Sequence, residues 1–167
     1  MAMIASSHQR TRTRTARTGR LRVLAIASGG GHWVQLLRLR PALAEHEVTY
    51  VSVDKCYRSD ISPAKLRVVN DATRRNKIGL VLLAIRVAWI LARVRPDTIV
   101  TTGAAPGYFA VRLGKLFGMK TIWIDSIANV ERLSLSGRQA EPYADLWLTQ
   151  WSHLAGVGGP RYAGAML

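Results

Sequence analysis

The sequence predicts an α/β domain built around one doubly wound parallel sheet. Short apolar runs alternate with longer helical patterns between residues 21 and 154, and glycine-rich turns follow the first and the fourth of these runs. Strands that alternate with helices form a parallel sheet covered by helices on both faces. The length of 167 residues suffices for one such domain with a core, but not for two large ones.

Three strands and one helix account for the first half of the predicted sheet. Leu21–Ala27 is a short apolar run closed by Ser28–Gly31, which indicates a buried strand followed by a glycine turn. His32–Leu43 has apolar residues on one side of a helix. The second and third strands are predicted at Val48–Val53 and Leu66–Val69.

A long apolar segment, Lys77–Arg95, begins the second half and predicts a helix that Pro96 stops. The remaining elements are strands at Asp97–Thr102, Lys120–Asp125 and Asp145–Gln150 and a helix at Gly107–Phe117 capped by Gly118. Asp145–Gln150 is the last strand predicted. We expect residues 21–154 to form the domain and residues 155–167 to form an irregular C-terminal tail, available as a partner interface.

The chain is strongly basic, with 24 Lys and Arg against 10 Asp and Glu, a net charge of +14 and a pI near 11.2. Such an excess favours an anionic partner: nucleic acid, an anionic membrane surface or a phosphorylated substrate. The single cysteine, Cys56, excludes an internal disulfide and a multi-cysteine zinc site. No apolar run reaches the roughly 18–20 residues that a membrane-spanning helix needs.

Residues 1–20 form a basic arm that we expect to be disordered, because it has no periodicity with which to bury a face. Its arginines, without any acidic residue, are Arg10, Arg12, Arg14, Arg17 and Arg20. The arm is interpreted as a solvated tail or an over-extended start site, as an organelle transit peptide, or as a segment that adheres to anionic lipid. Adhesion would contribute about 1 kcal/mol for each basic residue near the surface.

Three polar segments fall at predicted carboxyl ends of strands, where open α/β sheets bind their ligands. These segments are Ser28–His32, Thr101–Gly107, and Asp125 with Ser126 and the polar loop that follows. Glycines allow backbone N–H groups to approach a phosphate at the start of a helix. The candidate substrate-binding residues are Ser28, Gly29, Gly30, Gly31, Thr102, Gly103, Ala104, Gly107 and Ser126.

His32 and Asp125 each allow two interpretations. His32, beside the glycines, is either a base or phosphate ligand, or a polar residue at a helix start in contact with solvent. Asp125 either takes part in catalysis or caps the segment after it. The four histidines, at positions 8, 32, 46 and 153, show no metal-ligand spacing, so no metal is predicted.

A nucleotide-cofactor site is an alternative interpretation of the first turn. Gly29-x-Gly31-x-x-Val34 nearly matches the dinucleotide fingerprint, and Asp54 ends the second strand, where a ribose-binding acid would lie. Valine at the third motif position opposes close packing of helix on strand. No recognisable catalytic domain follows either.

The helix predicted at Lys77–Arg95 is apolar on almost every side. Such a helix is either sandwiched within protein or partly sunk into a membrane interface, where Trp89 would be well placed. The residues that we expect at an anionic membrane surface are Arg74, Arg75, Lys77, Arg86, Trp89 and Arg93.

Five segments in a fixed order resemble a known family. Ser28–His32 (SGGGH) is followed by Pro96–Gly103 (PDTIVTTG), Lys120–Ser126 (KTIWIDS), Leu133–Gly137 (LSLSG) and Ala144–Trp151 (ADLWLTQW). Together they resemble the membrane-anchoring subunit of the dolichol-linked UDP-N-acetylglucosaminyltransferase, and more closely its bacterial PssD-type counterparts in polysaccharide synthesis. The resemblance covers most of the chain.

The resemblance implies half of an enzyme, similar to the N-terminal, acceptor-side domain of a MurG-like GT-B glycosyltransferase with a Rossmann-like fold. A separate donor-binding subunit would bind the UDP-sugar. This chain would present a polyprenyl-diphosphate-linked sugar acceptor from the cytoplasmic face of the membrane, as a peripheral protein. The transfer would invert the anomeric carbon, and no cofactor is expected for it.

The resemblance also assigns roles to residues. His32 matches the histidine that ends the family's glycine turn and is the first candidate for the catalytic base, followed by Asp125 and Glu131. The two glycine turns would bind the acceptor diphosphate. The sequence differs from relatives at Asp125-Ser126, where Glu-Ser is frequent, and at Ala128-Asn129, where many have Ala-Arg. A polar arm stands where eukaryotic members usually begin with a spanning helix.

Two other classes compete with a transferase subunit. A nucleic-acid-binding module would account for the net charge, but the aromatic residues form no stacking strip among the basic ones. We therefore expect no nucleic acid partner. A stand-alone enzyme would need donor and acceptor sites on a single Rossmann-like unit.

Overall fold

We analysed a computed structural model of the chain, which describes residues 19–73 and 75–166. The predicted arm of residues 1–20 therefore lies outside the described residues except for Gly19 and Arg20, and Arg74 also lies outside them.

Seven strands of the described chain form one all-parallel sheet in the order β3-β2-β1-β4-β5-β6-β7. The strands are β1 (Arg22–Ile26), β2 (Glu47–Ser52), β3 (Lys65–Val68), β4 (Thr98–Thr101), β5 (Lys120–Ile124), β6 (Leu146–Thr149) and β7 (Arg161–Tyr162). Strand order reverses between β1 and β4, which defines the topological switch point. The predicted fold class is confirmed.

Helices cover both faces of the sheet. They are α1 (Gly31–Arg38), α2 (Arg40–Leu43), α3 (Lys77–Val94), α4 (Ala104–Leu116) and α5 (Leu135–Ala140), with 3-10 helices at Lys55–Ile61, Glu141–Tyr143 and Ser152–Leu154. Leu24 and Ile26 of β1 pack in the core under α3, α4 and α5, whereas Val23 and Ala25 pack in the core under α1 and α2. A central strand buried on both faces explains the continuous apolar run at this position.

Two sequence predictions need correction. The helix expected at His32–Leu43 is two helices, α1 and α2, because Pro41 lacks an N–H and is accommodated in the first turn of the new helix. The expected irregular tail contains β7, which pairs with β6 and makes it the penultimate strand. Both residues of β7 are exposed, so no apolar run marks the strand in the sequence.

The helix α3 matches its predicted bounds closely. The Asn76 side chain accepts a hydrogen bond from the Gly79 N–H at 2.8 Å and caps its start. Arg95, at φ 48°, ends it in a left-handed conformation just before Pro96. One face, which includes Leu83 and Leu91, is fully buried against the sheet.

Asp145 connects the start of β6 to α4 and β5 by hydrogen bonds. Its carboxylate accepts hydrogen bonds from Lys115 Nζ at 2.5 Å and from the Thr121 N–H at 3.0 Å. Burial opposes ionisation of Asp145, but these hydrogen bonds outweigh it and lower the pKa of the carboxyl below its ordinary value. The charged form therefore stabilises the contact of α4 with β5 and β6.

We expect Asp145→Asn to lower the free energy of unfolding near neutral pH by about 1 kcal/mol, a modest value because the ion pair is partly exposed. A carboxyl with a lowered folded-state pKa stabilises the fold above its ordinary pKa, and this contribution is lost as the pH falls through the folded-state pKa. Urea unfolding at pH 6.5 and pH 2.5 measures the effect, with the exposed Asp71→Asn as control. An equal difference from wild type at both pH values would contradict the assignment.

Candidate functional site

The two glycine turns meet at the switch point, on the edge of the sheet at which the strands end. Ser28–Gly30 follows β1 and Thr102–Gly103 follows β4, and these strands are paired with Ile26 opposite Thr101. The helices α1 and α4 begin directly after the turns, so their N-terminal N–H groups lie at the same edge. Such groups favour an anion because they carry partial positive charge and lack intrahelical partners.

His32 is tied to the second turn by two reciprocal hydrogen bonds. Its Nδ1 lies 2.8 Å from the Thr102 carbonyl oxygen, and Thr102 Oγ1 donates to the His32 carbonyl at 2.7 Å. Because a carbonyl only accepts, this contact places a proton on Nδ1, and the neutral ring then keeps the lone pair of Nε2. The structure thus fixes the ring in a tautomer that can accept a proton at Nε2.

Glycines at two positions serve different purposes. Gly103 has φ +120°, and a Cβ there would lie 3.1 Å from His32 Cε1, so this glycine makes room for the imidazole. Gly30 has φ +61° and open space around the position of a Cβ, so the first turn presents bare backbone. Ala104, the first residue of α4, adopts a strained left-handed conformation with φ 63°.

Tyr57 is a neighbour of the first turn that sequence reasoning missed. Its hydroxyl oxygen accepts a hydrogen bond from the Gly30 N–H at 2.9 Å. The ring stacks on Trp33 with centroids 4.7 Å apart and an interplanar angle of 18°. Its position shortly after β2, the strand next to β1, is the only signal in the sequence that could have placed Tyr57 here.

Asp125 holds the loop that follows β5. The side chain is 2% exposed and accepts hydrogen bonds from the Ser134 N–H at 2.8 Å, Ser134 Oγ at 2.5 Å and Trp123 Nε1 at 3.4 Å. This geometry favours the capping role over catalysis, since both carboxylate oxygens are engaged at the start of α5. Glu131 lies exposed in the loop between Asp125 and Ser134.

Ser126 is also buried rather than open to a ligand. It is 6% exposed, and its Oγ accepts a hydrogen bond from Gln35 Nε2 at 3.0 Å. Gln35 is a buried polar residue of α1 that the sequence analysis did not select, although a glutamine on the apolar face of a helix is an unusual choice. In the described part of the chain, no three His, Cys, Asp or Glu side chains gather where they could hold a metal ion.

The outer face of α3 is apolar and exposed. Its side chains are Ile78, Val81, Leu82, Ile85 and Trp89. The guanidinium groups of Arg86 and Arg93 lie 5.0 Å and 5.8 Å from the centre of the Trp89 ring, as in cation–π contacts. Arg75 and Lys77 are exposed at the start of the helix. Of the helices that the structure describes, none has the length and apolar character to cross a bilayer.

The fold and the site define a Rossmann-like α/β unit with two helix N-termini at its switch point. Solved structures share this unit. MurG of Acinetobacter baumannii superimposes with a TM-score of 0.69 at 10% identity over 85% of this chain and 45% of MurG. UDP-N-acetylglucosamine 2-epimerase of Rickettsia bellii has a TM-score of 0.65 at 12% identity over 88% of this chain and 45% of the epimerase. The chain therefore spans less than half of the length of each of these proteins.

Sequence relatives narrow the class to one family. The model of the family "Oligosaccharide biosynthesis protein Alg14 like" matches residues 64–166, more than half of the chain. The UDP-N-acetylglucosamine transferase subunit ALG14 of Yarrowia lipolytica is 27% identical over 162 residues, which cover 80% of this chain and 75% of the relative. The mouse subunit is 26% identical over 167 residues, covering 80% and 77%. The chain belongs to the Alg14-like family.

Membership of this family confirms the resemblance found in the sequence and the predicted enzyme class, a glycosyltransferase subunit. The solved structures confirm the fold, a unit like one half of a MurG-type enzyme. The individual site residues stay predictions.

We expect Gly103→Ala to displace the His32 ring, because the new methyl group would crowd Cε1 and the positive φ would strain the backbone. Two-dimensional ¹H–¹⁵N spectra of the imidazole should show one tautomer, protonated at Nδ1, in the wild type and a mixture in the variant. Gly118→Ala is the matched control, since Gly118 also has positive φ but has open space around the position of a Cβ. An unchanged His32 tautomer in Gly103→Ala would refute this explanation of the glycine.

Proposed function

We propose that the chain is the acceptor-binding, membrane-associating subunit of a two-component inverting glycosyltransferase. The enzyme moves a sugar from a UDP-sugar to a polyprenyl-diphosphate-linked saccharide in polysaccharide or glycolipid biosynthesis. One observation carries the proposal: in a member of the Alg14-like family, two glycine turns converge at the switch point with His32 fixed between them.

The size of the described unit supports a donor-binding partner. This chain spans 45% of MurG, and we assign the binding of the nucleotide sugar to a second Rossmann-like half on the partner. The curated relatives are each named as a subunit of a UDP-N-acetylglucosamine transferase, which favours UDP-N-acetylglucosamine as the donor. The cleft between this chain and its partner would lie at the carboxyl edge of the sheet, where the glycine turns are.

The acceptor diphosphate is assigned to the two helix N-termini. The first N–H groups of α1 and α4 point to the same edge, and Gly30 leaves the approach to α1 open. Several amide donors and two helix dipoles can bind an anion without a metal. The open space at Gly30 leaves room for a phosphate beside these N–H groups.

His32 is the proposed base. Its Nε2 lone pair can take the proton of the acceptor hydroxyl while the hydroxyl oxygen forms a bond to the anomeric carbon. The bond from that carbon to the UDP oxygen breaks on the opposite face, and UDP leaves with the electron pair. The contact of Nδ1 with the Thr102 carbonyl would stabilise the imidazolium that results.

The outer face of α3 is assigned to the membrane interface. Five exposed apolar side chains on one helix face can enter the headgroup region, and each contributes up to about 1.5–3 kcal/mol if it is fully buried. Arg75, Lys77, Arg86 and Arg93 border this face and can bind anionic headgroups. Attachment would be peripheral and on the cytoplasmic side, where the UDP-sugar is available.

Purification of the tagged chain from membranes of its native host, followed by mass spectrometry, tests the proposal as a whole. We expect a small partner that resembles the donor half of a GT-B enzyme. The reconstituted pair should transfer the sugar, and neither protein should do so alone. Recovery of nucleic acid, or of no such partner, would overturn the proposal and leave the fold intact.

We expect Gly30→Asp to abolish transfer, by more than about a hundredfold, while binding of the partner is retained. The open space accommodates the carboxylate, but its charge would repel the acceptor diphosphate by several kcal/mol. Radiolabelled sugar transfer and co-purification of the partner measure the two effects. Gly118→Asp, with similar positive φ at the opposite edge, is the control for backbone strain. Equal loss of partner binding would mean that the turn is not a substrate site.

We expect the double variant Arg86→Glu/Arg93→Glu to lose affinity for anionic vesicles by more than tenfold, since each basic residue contributes about 1 kcal/mol at such a surface. Co-sedimentation with phosphatidylglycerol–phosphatidylcholine vesicles measures the loss. Lys55→Glu/Arg58→Glu changes the net charge equally on the other face of the sheet and should sediment like wild type. Unchanged sedimentation of the α3 variant would exclude α3 from the membrane contact.

A further inference from the structure

Two buried amide side chains connect the segments that form the carboxyl edge of the sheet. Gln35 on α1 is 5% exposed, and Gln150, directly after β6, is 3% exposed. Gln150 Nε2 donates to Gln35 Oε1 at 2.7 Å. The contact bridges an element beside β1 to the end of β6, across the ends of β4 and β5.

Every hydrogen-bonding position of Gln35 is used. Its Nε2 donates to the Gly31 carbonyl at 3.2 Å and to Ser126 Oγ at 3.0 Å. Its Oε1 accepts from the Ile127 N–H at 3.0 Å in addition to Gln150. An amide offers two donors and two acceptor lone pairs, so the side chain is saturated and its position is fixed.

Gln150 makes further hydrogen bonds to the loop after β5 and to the C-terminal segment. Its Nε2 also donates to the Asp125 carbonyl at 2.9 Å, and its Oε1 accepts from the Met166 N–H at 2.9 Å. Three consecutive residues, 125–127, are therefore bound by one amide pair through a carbonyl, a hydroxyl and an N–H. Further along, Trp151 Nε1 donates to the Ile127 carbonyl at 2.8 Å.

The amide pair joins this loop to the helix that carries the proposed base. Gln35 lies three residues after His32, on the same short helix, and binds the carbonyl of Gly31 next to it. The loop exposes Glu131 and Arg132, polar groups that can contact an acceptor sugar. Apolar side chains in the same space would leave the Ile127 N–H and the Asp125 carbonyl without these partners, so the amide pair both satisfies the backbone of the loop and fixes its position.

We propose that Gln35 is a positioning residue that fixes the loop of residues 126–133 relative to His32 and thereby sets the affinity for the acceptor saccharide. The inference rests on the proposed function and adds a determinant of acceptor recognition. Gln35 does not touch the substrate; it acts through Ser126 and Ile127. The donor site lies on the partner subunit, so binding of the UDP-sugar is independent of Gln35.

Steady-state kinetics of the reconstituted two-subunit enzyme test this role. Gln35→Met keeps the length of the side chain and removes its hydrogen bonds, and we expect the KM for the lipid-linked acceptor to rise about tenfold. The KM for the UDP-sugar should stay within twofold of wild type. Gln139→Met, at an exposed position on α5, is the matched control and should leave both constants unchanged.

A second variant and a second measurement guard against simple misfolding. Gln35→Glu preserves the shape and the two acceptor contacts, but it replaces the donor Nε2 by a carboxylate oxygen that the Gly31 carbonyl repels, so its acceptor KM should also rise. Hydrogen exchange of the Ile127 N–H should accelerate in Gln35→Met without a matching change in β1 or β4. A lowered kcat with an unchanged acceptor KM, or an equal rise of both KM values, would overturn the positioning role. A wild-type pair without transfer would instead overturn the proposed function itself.

Discussion

The pairing of β1 with β4 is the constraint on which the site depends. These strands are separated by more than 70 residues of sequence, yet their parallel register brings both glycine turns to one edge. The reciprocal hydrogen bonds between His32 and Thr102 are possible only with this register. A histidine at a helix start has many rotamers open to it, and the second turn selects one of them. The catalytic proposal thus rests on sheet topology as much as on the residue type.

Close packing of α4 on the sheet also helps to position the second glycine turn. A Cβ at Gly107 would lie 2.1 Å from Thr101 Oγ1, and one at Gly114 would lie 2.2 Å from Ile99 Cδ1. Only glycine lets the helix approach β4 this closely. Thr101 in turn accepts a hydrogen bond from the Gly103 N–H at 3.1 Å, which shapes the turn that leads into the helix. The packing of α4 and the shape of the turn beside His32 therefore both depend on Thr101.

The sequence predicted the sheet, the switch-point turns and α3 because each depends on local pattern: apolar runs, glycines and helix stops. Its failures have physical reasons. The two residues of β7 bury nothing, so no pattern reveals them. Asp125 and Ser126 occupy the expected edge, but whether a polar side chain faces a ligand or a buried partner depends on contacts distant in sequence. Gln35 and Gln150, 115 residues apart, illustrate this: only the fold shows that they form a pair.

The position of α3 relative to the switch point connects the proposed membrane contact with the proposed acceptor site. This helix follows β3 and precedes β4, so in a parallel sheet it starts at the edge at which strands end. The outer face of α3, from Ile78 to Trp89, therefore begins at the edge of the sheet that carries the glycine turns and runs toward the opposite edge. A polyprenyl diphosphate has its charged group at the headgroup level and its chain in the bilayer. An apolar helix face next to the proposed anion site would meet both requirements, since the protein could rest on the membrane while the diphosphate reached the helix N-termini.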